Sequence, residues 1–331
     1  MYIFTTAFTV FFFAFLTIKL FKPVAIEIGF VDKSCNRKHH SGHIPLIGGI
    51  SIFVAVLAAS LLWLPNTLEL RMYLVASAMM VFIGALDDKF DLSVGIRIIG
   101  QIIIASLMIY GVCGYISNLG NLFGFGDVVL GSASIIFTYI GIIVVINAYN
   151  MVDGIDGLIG SLSINTFTSI AILFIMSDQT GYVSYPLILA TATVPYLMFN
   201  LGLFKILFNK ETKKIFMGDS GSMFVGLSVI WLLIMGTQGE HSSFRPVTAL
   251  WICAIPLMDM LAIVVRRYIL QRIGYSSRQT LLIISGLAGV MSVVGLLGEY
   301  YDVAEVIMLT GFLVMFIGYV FCIRVISKHR Y

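Results

Sequence analysis

Eleven apolar stretches near residues 2–20, 44–64, 71–86, 96–115, 133–149, 159–177, 185–204, 222–236, 247–265, 280–298 and 304–323 occupy most of this 331-residue chain. A run of about 20 apolar residues spans the hydrocarbon layer as a helix. The runs are too many and too closely spaced to be the cores of water-soluble domains. Composition agrees, because 59% of the residues are hydrophobic and 11% are charged, far too few to cover a soluble surface. The pattern lacks the short alternating strands of a membrane barrel, so the expected fold is all-α, a polytopic helix bundle. Eleven spans at roughly 20 residues each leave about 110 residues for loops and ends. One transmembrane domain over 1–331 is therefore expected, with any active site formed by its loops. A net charge of +3 without a basic tract excludes a nucleic-acid binder.

Eleven spans put the termini on opposite sides. Lys19, Lys22, Lys33, Arg37 and Lys38, then Lys89 and Arg97, then Lys205, Lys210, Lys213 and Lys214 fall on one side, as do Arg266, Arg267, Arg272, Arg278, Arg324, Lys328 and Arg330. Only Arg71 and Arg245 fall on the other. The positive-inside rule makes the crowded side cytoplasmic, with the N-terminus periplasmic and the C-terminus cytoplasmic. Residues 2–20 read as a retained span rather than a signal peptide, since no positive charge precedes them. Cys35, Cys113, Cys253 and Cys322 form no C-x-x-C pair and read as reduced thiols or small core residues.

The acids carry separate information. Glu69, Asp127, Asp178, Glu240, Glu299, Asp302 and Glu305 dot the outer loops singly, where solvated surface roles are expected. Asp87, Asp88, Asp91, Asp153, Asp156 and Asp219 instead gather at cytoplasmic span ends. Should the third helix continue through Asp91, that residue shares a face with Asp87 and Asp88. Such a group either ends a helix in water, holds a divalent metal or takes a proton from a phosphate-bearing substrate. Asn147, Asn150, Asp153 and Asp156 recur at every third residue, and Gly154 and Gly157 let a ligand approach the backbone. Gly218-Asp219-Ser220-Gly221-Ser222 precedes an apolar run. It is either an N-cap or a phosphate and metal site at a helix N-terminus. Asp259 lies inside the ninth run, two helical turns before Arg266 and Arg267. A carboxylate at that depth faces a partner or a wet cavity, and an arginine pair clamps pyrophosphate.

Gly48-Gly49, Asp87-Asp88, Asn147 to Gly157, Gly218 to Ser222 and Pro256 to Asp259 resemble, in order and sidedness, the motifs of the polyprenyl-phosphate N-acetylhexosamine-1-phosphate transferase superfamily, glycosyltransferase family 4. Phe82 to Arg97 and Pro246 to Met260 are most similar to the bacterial branch that starts O-antigen and enterobacterial common antigen synthesis. The resemblance implies transfer of N-acetylglucosamine 1-phosphate from UDP-N-acetylglucosamine to undecaprenyl phosphate at the bacterial inner membrane, with Mg²⁺ or Mn²⁺ as cofactor. It implies catalytic roles for Asp87, Asp88, Asp153 and Asp156, substrate contacts for Asn147, Asp259, Arg266 and Arg267, and a metal held by Asp219, Asn150 and Asp88. Membrane lipid is a further partner, and a homodimer is left open.

One departure stands out. The family's His-x-His-His segment after the ninth span is absent, since Arg266-Arg267 runs straight into Tyr268-Ile269-Leu270, and His39, His40 and His43 lie in the first cytoplasmic loop. Alternatives are the sister chemistry on phospho-MurNAc-pentapeptide, a noncatalytic lipid-phosphate-binding relative, and an ion-coupled transporter. The last would place its acids near the bilayer midplane on broken helices.

Overall fold

The computed structural model describes residues 2–32, 44–203, 214–239, 242–261 and 276–328. Helices α1 (Tyr2–Glu27), α2 (Gly48–Trp63), α3 (Leu68–Phe90), α4 (Val94–Gly111), α5 (Ser134–Val152), α6 (Leu158–Met176), α7 (Ser184–Asn200) and α8 (Gly218–Thr237) follow one another. After them come α9 (Pro246–Ile252), α10 (Ala254–Leu261), α11 (Ser277–Tyr300) and α12 (Glu305–Lys328). The protein is an all-α membrane helix bundle, and seven of the described helices are long and apolar enough to cross a bilayer. Each apolar run of the sequence carries a helix, but the ninth run is broken into α9 and α10 at Cys253. Pro256 lacks the N–H that would bond the Ile252 carbonyl four residues back, so the ladder opens there.

α8 is the centre of the bundle, buried almost all round and packed by α2, α3, α5 and α6. Between apolar helices in lipid the drive to associate comes from close packing and internal hydrogen bonds, which small residues permit. A Cβ on Gly49 would lie 2.1 Å from the Gly221 Cα, one on Gly84 2.4 Å from the Ser220 Cα, and one on Gly226 2.7 Å from the Ile146 Cα. Backbone thus meets backbone where α2, α3 and α5 cross α8. Polar pairs stitch the bundle: Tyr73 Oη to Ser228 Oγ at 2.8 Å between α3 and α8, Tyr149 Oη to Thr166 Oγ1 at 2.8 Å between α5 and α6, and Asn165 Nδ2 donating to Ser292 Oγ at 2.8 Å between α6 and α11. Each satisfies a group that hydrocarbon would leave without a partner.

The two ends of the bundle differ. At one end the only strands among the described residues, β1 (Val31–Asp32) and β2 (Ile44–Pro45), pair antiparallel. Beyond them Phe216 N–H bonds the Pro45 carbonyl, and Gly48 and Gly49 N–H bond the Phe216 and Met217 carbonyls, at 2.9–3.0 Å. This backbone ladder fixes the start of α8 against the start of α2.

At the opposite end, Glu299 is not the free solvated acid expected, its side chain being 16% exposed, whereas Asp302 is exposed as expected. Arg245 donates to Glu299 at 3.2 Å, to Asp302 at 3.0 Å and to the carbonyls of Gly298 and Val303 at 2.8 Å. It staples the α11–α12 turn to the start of α9. Gln238 clamps the Ser117–Asn118 backbone beside it.

Candidate active site

The acid-bearing motifs meet at the end of the bundle where α3, α5 and α7 finish and α4, α6 and α8 begin. α3 stops at Phe90, and Asp91 takes the left-handed conformation (φ 52°) as its C-cap. The expected alignment of Asp91 with Asp87 and Asp88 therefore fails, because the helix ends one residue short and Asp91 is exposed. Asp87 is buried, its side chain 3% exposed. One of its oxygens accepts the Leu92 N–H at 2.8 Å and the other accepts Arg97 Nη1 at 2.9 Å.

Asp88 reaches across to α8 and receives its first N–H groups, from Asp219 at 2.7 Å on Oδ1 and from Ser220 at 3.1 Å on Oδ2. A carboxylate borrowed from a neighbouring helix thus caps the positive end of α8. Gly218 is obligatory beside it. Its φ is +72°, and a Cβ there would sit 2.6 Å from Asp88 Oδ2.

Asp219, in the first turn of α8, faces α5. Asn150 Nδ2 donates to Asp219 Oδ1 at 2.6 Å and to Ser222 Oγ at 2.9 Å. The carboxyl groups of Asp87 and Asp219 adjoin, and the Arg97 charge acts on Asp219 as well. No donor among the described residues reaches Asp219 Oδ2. Asn147, one turn before Asn150, donates to Gln101 Oε1 of α4 at 2.9 Å and to the Ile143 carbonyl at 2.8 Å.

The three-residue repeat stays on one helix face only through Asn150, since α5 ends at Val152. Asp153 and Asp156 leave the helix and lie near Tyr196 of α7, whose buried ring packs where a Gly48 Cβ would be. Asp156 pairs with Lys214. Asn200 ties this loop to the strap before α8, accepting the Gly157 N–H at 2.5 Å and donating to the Ile215 carbonyl at 2.9 Å.

Asp87, Asp88, Asp219, Asn150 and Asn147 are thus brought together, with Asp153 and Asp156 beside them across Tyr196. Asp259 accepts Tyr319 Oη of α12 at 3.4 Å. Arg266, Arg267 and the junction that lacks the His-x-His-His segment lie outside the described residues. Sequence reasoning missed site roles for Arg97, Gln101 and Asn200. Gln101 and Asn200 carried a readable signal, each being a polar residue inside or closing an apolar run.

Hard oxygen donors dominate the cluster, which suits Mg²⁺ or Mn²⁺. Among the described residues no three acidic, histidine or cysteine side chains form a ready-made ligand set. That still fits a Mg²⁺ ion, which is held by one or two carboxylates together with substrate phosphates rather than by an all-protein cage.

An apolar bundle with a closed polar cluster at one end defines an integral membrane enzyme working at the bilayer boundary. The chain belongs to glycosyl transferase family 4, which matches residues 70–237. It is similar to undecaprenyl-phosphate alpha-N-acetylglucosaminyl 1-phosphate transferases over nearly its whole length. The Yersinia pestis protein is 39% identical over 332 residues, covering 95% of this chain and 90% of the relative. That of Salmonella typhi is 40% identical over 336 residues (96% and 89%). That of Haemophilus influenzae is 41% identical over 326 residues (94% and 91%).

Proposed function

We propose that this protein transfers N-acetylglucosamine 1-phosphate from UDP-N-acetylglucosamine to undecaprenyl phosphate, giving N-acetylglucosaminyl-pyrophosphoryl-undecaprenol and UMP. The observation that carries the reading is the meeting of Asp87, Asp88, Asp219 and Asn150 at one end of an apolar bundle, where a lipid headgroup and a soluble nucleotide can both arrive. A lipid phosphate oxygen attacks the β-phosphorus, the bond from that phosphorus to the UMP oxygen breaks, and UMP leaves with the bonding pair. Asp219, Asn150 and Asp88 would hold a divalent cation, which would supply neutralisation of the phosphate charge. Asn150 also orients Asp219, and Asp88 also fixes the first turn of α8. Asp87 faces the lipid phosphate. Asp153 and Asp156 orient the nucleotide, Asn147 and Asp259 contact the substrate, and Arg266 and Arg267 hold the pyrophosphate.

The same proposal covers the setting. The chain forms one transmembrane domain in the bacterial inner membrane, with eleven spans, the N-terminus in the periplasm and the acid cluster in the cytoplasm. Reporter fusions after Tyr331 and beside Asp127 should then report opposite sides of the membrane. Equal signals from both would overturn the topology and the placement of the site.

The activity itself is tested with purified protein, radiolabelled UDP-sugars and undecaprenyl phosphate. Label should pass to lipid from UDP-N-acetylglucosamine and not from UDP-MurNAc-pentapeptide, and a chelator should abolish the transfer until Mg²⁺ or Mn²⁺ is restored. Lipid binding without turnover would instead favour the noncatalytic relative that the missing His-x-His-His segment brings to mind. Proton-linked solute uptake into vesicles would favour a transporter.

A further inference from the structure

Arg97 enters the sequence reading only as one of many basic residues on the cytoplasmic side, yet its side chain is 24% exposed and turns inward to buried Asp87. It stands in the first turn of α4, whose neighbouring residues Val94, Ile96 and Ile99 are exposed, as is Phe90 at the end of α3. In a membrane bundle those apolar faces meet lipid. Arg97 therefore sits where a lipid-facing surface gives way to the carboxylate cluster. One turn further along the same face, Gln101 holds Asn147, so α4 turns both polar side chains toward the site.

The bonding of Arg97 is incomplete. A guanidinium carries five N–H donors, and here only Nη1 is engaged, with one oxygen of Asp87. Nε is buried without a partner, and Nη2 makes no hydrogen bond among the described residues. An arginine serving only to brace Asp87 would engage both carboxylate oxygens in a fork, but the second oxygen belongs to the Leu92 N–H. Beside Arg97 stand Asp87 and Asp219, two acids that would repel a phosphate. Among the described residues Arg97 is the cation bonded to this group, while Lys214 is engaged by Asp156 on the far side of Tyr196.

We propose that Arg97 receives the phosphate of the acceptor lipid, which enters sideways from the bilayer between the site ends of α3 and α4. This rests on the transferase reading above and adds an acceptor subsite to it. A guanidinium offers phosphate a planar pair of donors, and the apolar residues flanking this one favour a lipid-borne phosphate over that of a soluble nucleotide. The nucleotide is left to the Asp153, Asp156 and Lys214 side of the cluster.

The test measures binding of undecaprenyl phosphate, undecaprenol and UDP to the full-length protein in detergent, with no turnover required. Unmodified protein should prefer the lipid phosphate to the lipid alcohol by about tenfold to a hundredfold, the range carried by hydrogen bonds to a charged group. Arg97→Gln should bring the two lipids to near-equal affinity and leave UDP binding unchanged, and Arg97→Lys should keep part of the preference. Persistence of the preference in Arg97→Gln would overturn the proposal. So would a matching loss of UDP binding, which would assign it to the nucleotide. Because these are binding measurements, an Arg97-dependent preference in a protein that transfers no sugar would refute the transferase reading and leave the lipid-phosphate site standing.

Discussion

Asp219→Asn is expected to lower metal-dependent transfer on the order of 10²–10³-fold, the loss typical when one preorganised charge-stabilising group is removed from an active site. The side chain keeps its size, so Asn150 and the first turn of α8 stay in place while the charge that a hard cation needs is gone. Asp127→Asn is the matched control. Asp127 lies at the opposite end of the bundle, where its carboxylate accepts Asn118 Nδ2 at 2.8 Å, and the change should leave transfer near the unmodified rate. Raising Mg²⁺ or Mn²⁺ should recover part of the Asp219→Asn activity if the loss lies in metal affinity. Equal losses in both variants, with a lowered thermal midpoint, would mean that folding was damaged and that Asp219 is not the metal ligand.

The helices were legible because lipid demands long apolar runs, and their positions follow from hydropathy alone. Their arrangement was less so. That α8 is the buried centre was not legible, since α2 and α5 equally lack a polar face, and which helices touch it depends on glycines at positions 49, 84 and 226 meeting small residues or bare backbone far away in sequence. The motifs marked the right end of the bundle and most of the acids in the cluster. Their pairings were hidden for a physical reason. Asp88 spends its oxygens on backbone N–H groups 131 and 132 residues away, and backbone donors leave no mark in a sequence. Arg97 was absorbed into the topological charge bias, because a charge count cannot show that a guanidinium turns inward. Asp91 belonged to the motif by spacing but leaves the helix as a left-handed cap, a boundary shift of one residue that spacing alone does not resolve.

The tightest packing in the site also gives the largest expected effect on stability. In Gly84→Ala the new methyl would sit 2.4 Å from the Ser220 Cα, 2.5 Å from the Ser220 N and 2.8 Å from the Asp219 carbonyl carbon. All three are backbone atoms of the first turn of α8, which is held by Asp88 of α3 and, from α2, by the ladder from Gly48 and Gly49, so no side chain can swing away. α3 and α8 must separate, at a cost of about 1–3 kcal/mol for overpacking of this kind. Asp88 lies one turn beyond Gly84 on the same face of α3, and the separation draws its oxygens off the Asp219 and Ser220 N–H groups. Transfer should fall together with the thermal midpoint. Gly286→Ala on α11, where nothing lies within 4 Å of the added carbon, should be neutral in both measurements. Gly298→Ala, at the opposite end, places its methyl against the Met308 Sδ, the flexible end of a side chain. It should lower the midpoint less and leave the rate of the folded protein intact. A loss of activity in Gly298→Ala as deep as that in Gly84→Ala would show that general loosening of the bundle, and not displacement of Asp88, governs the rate.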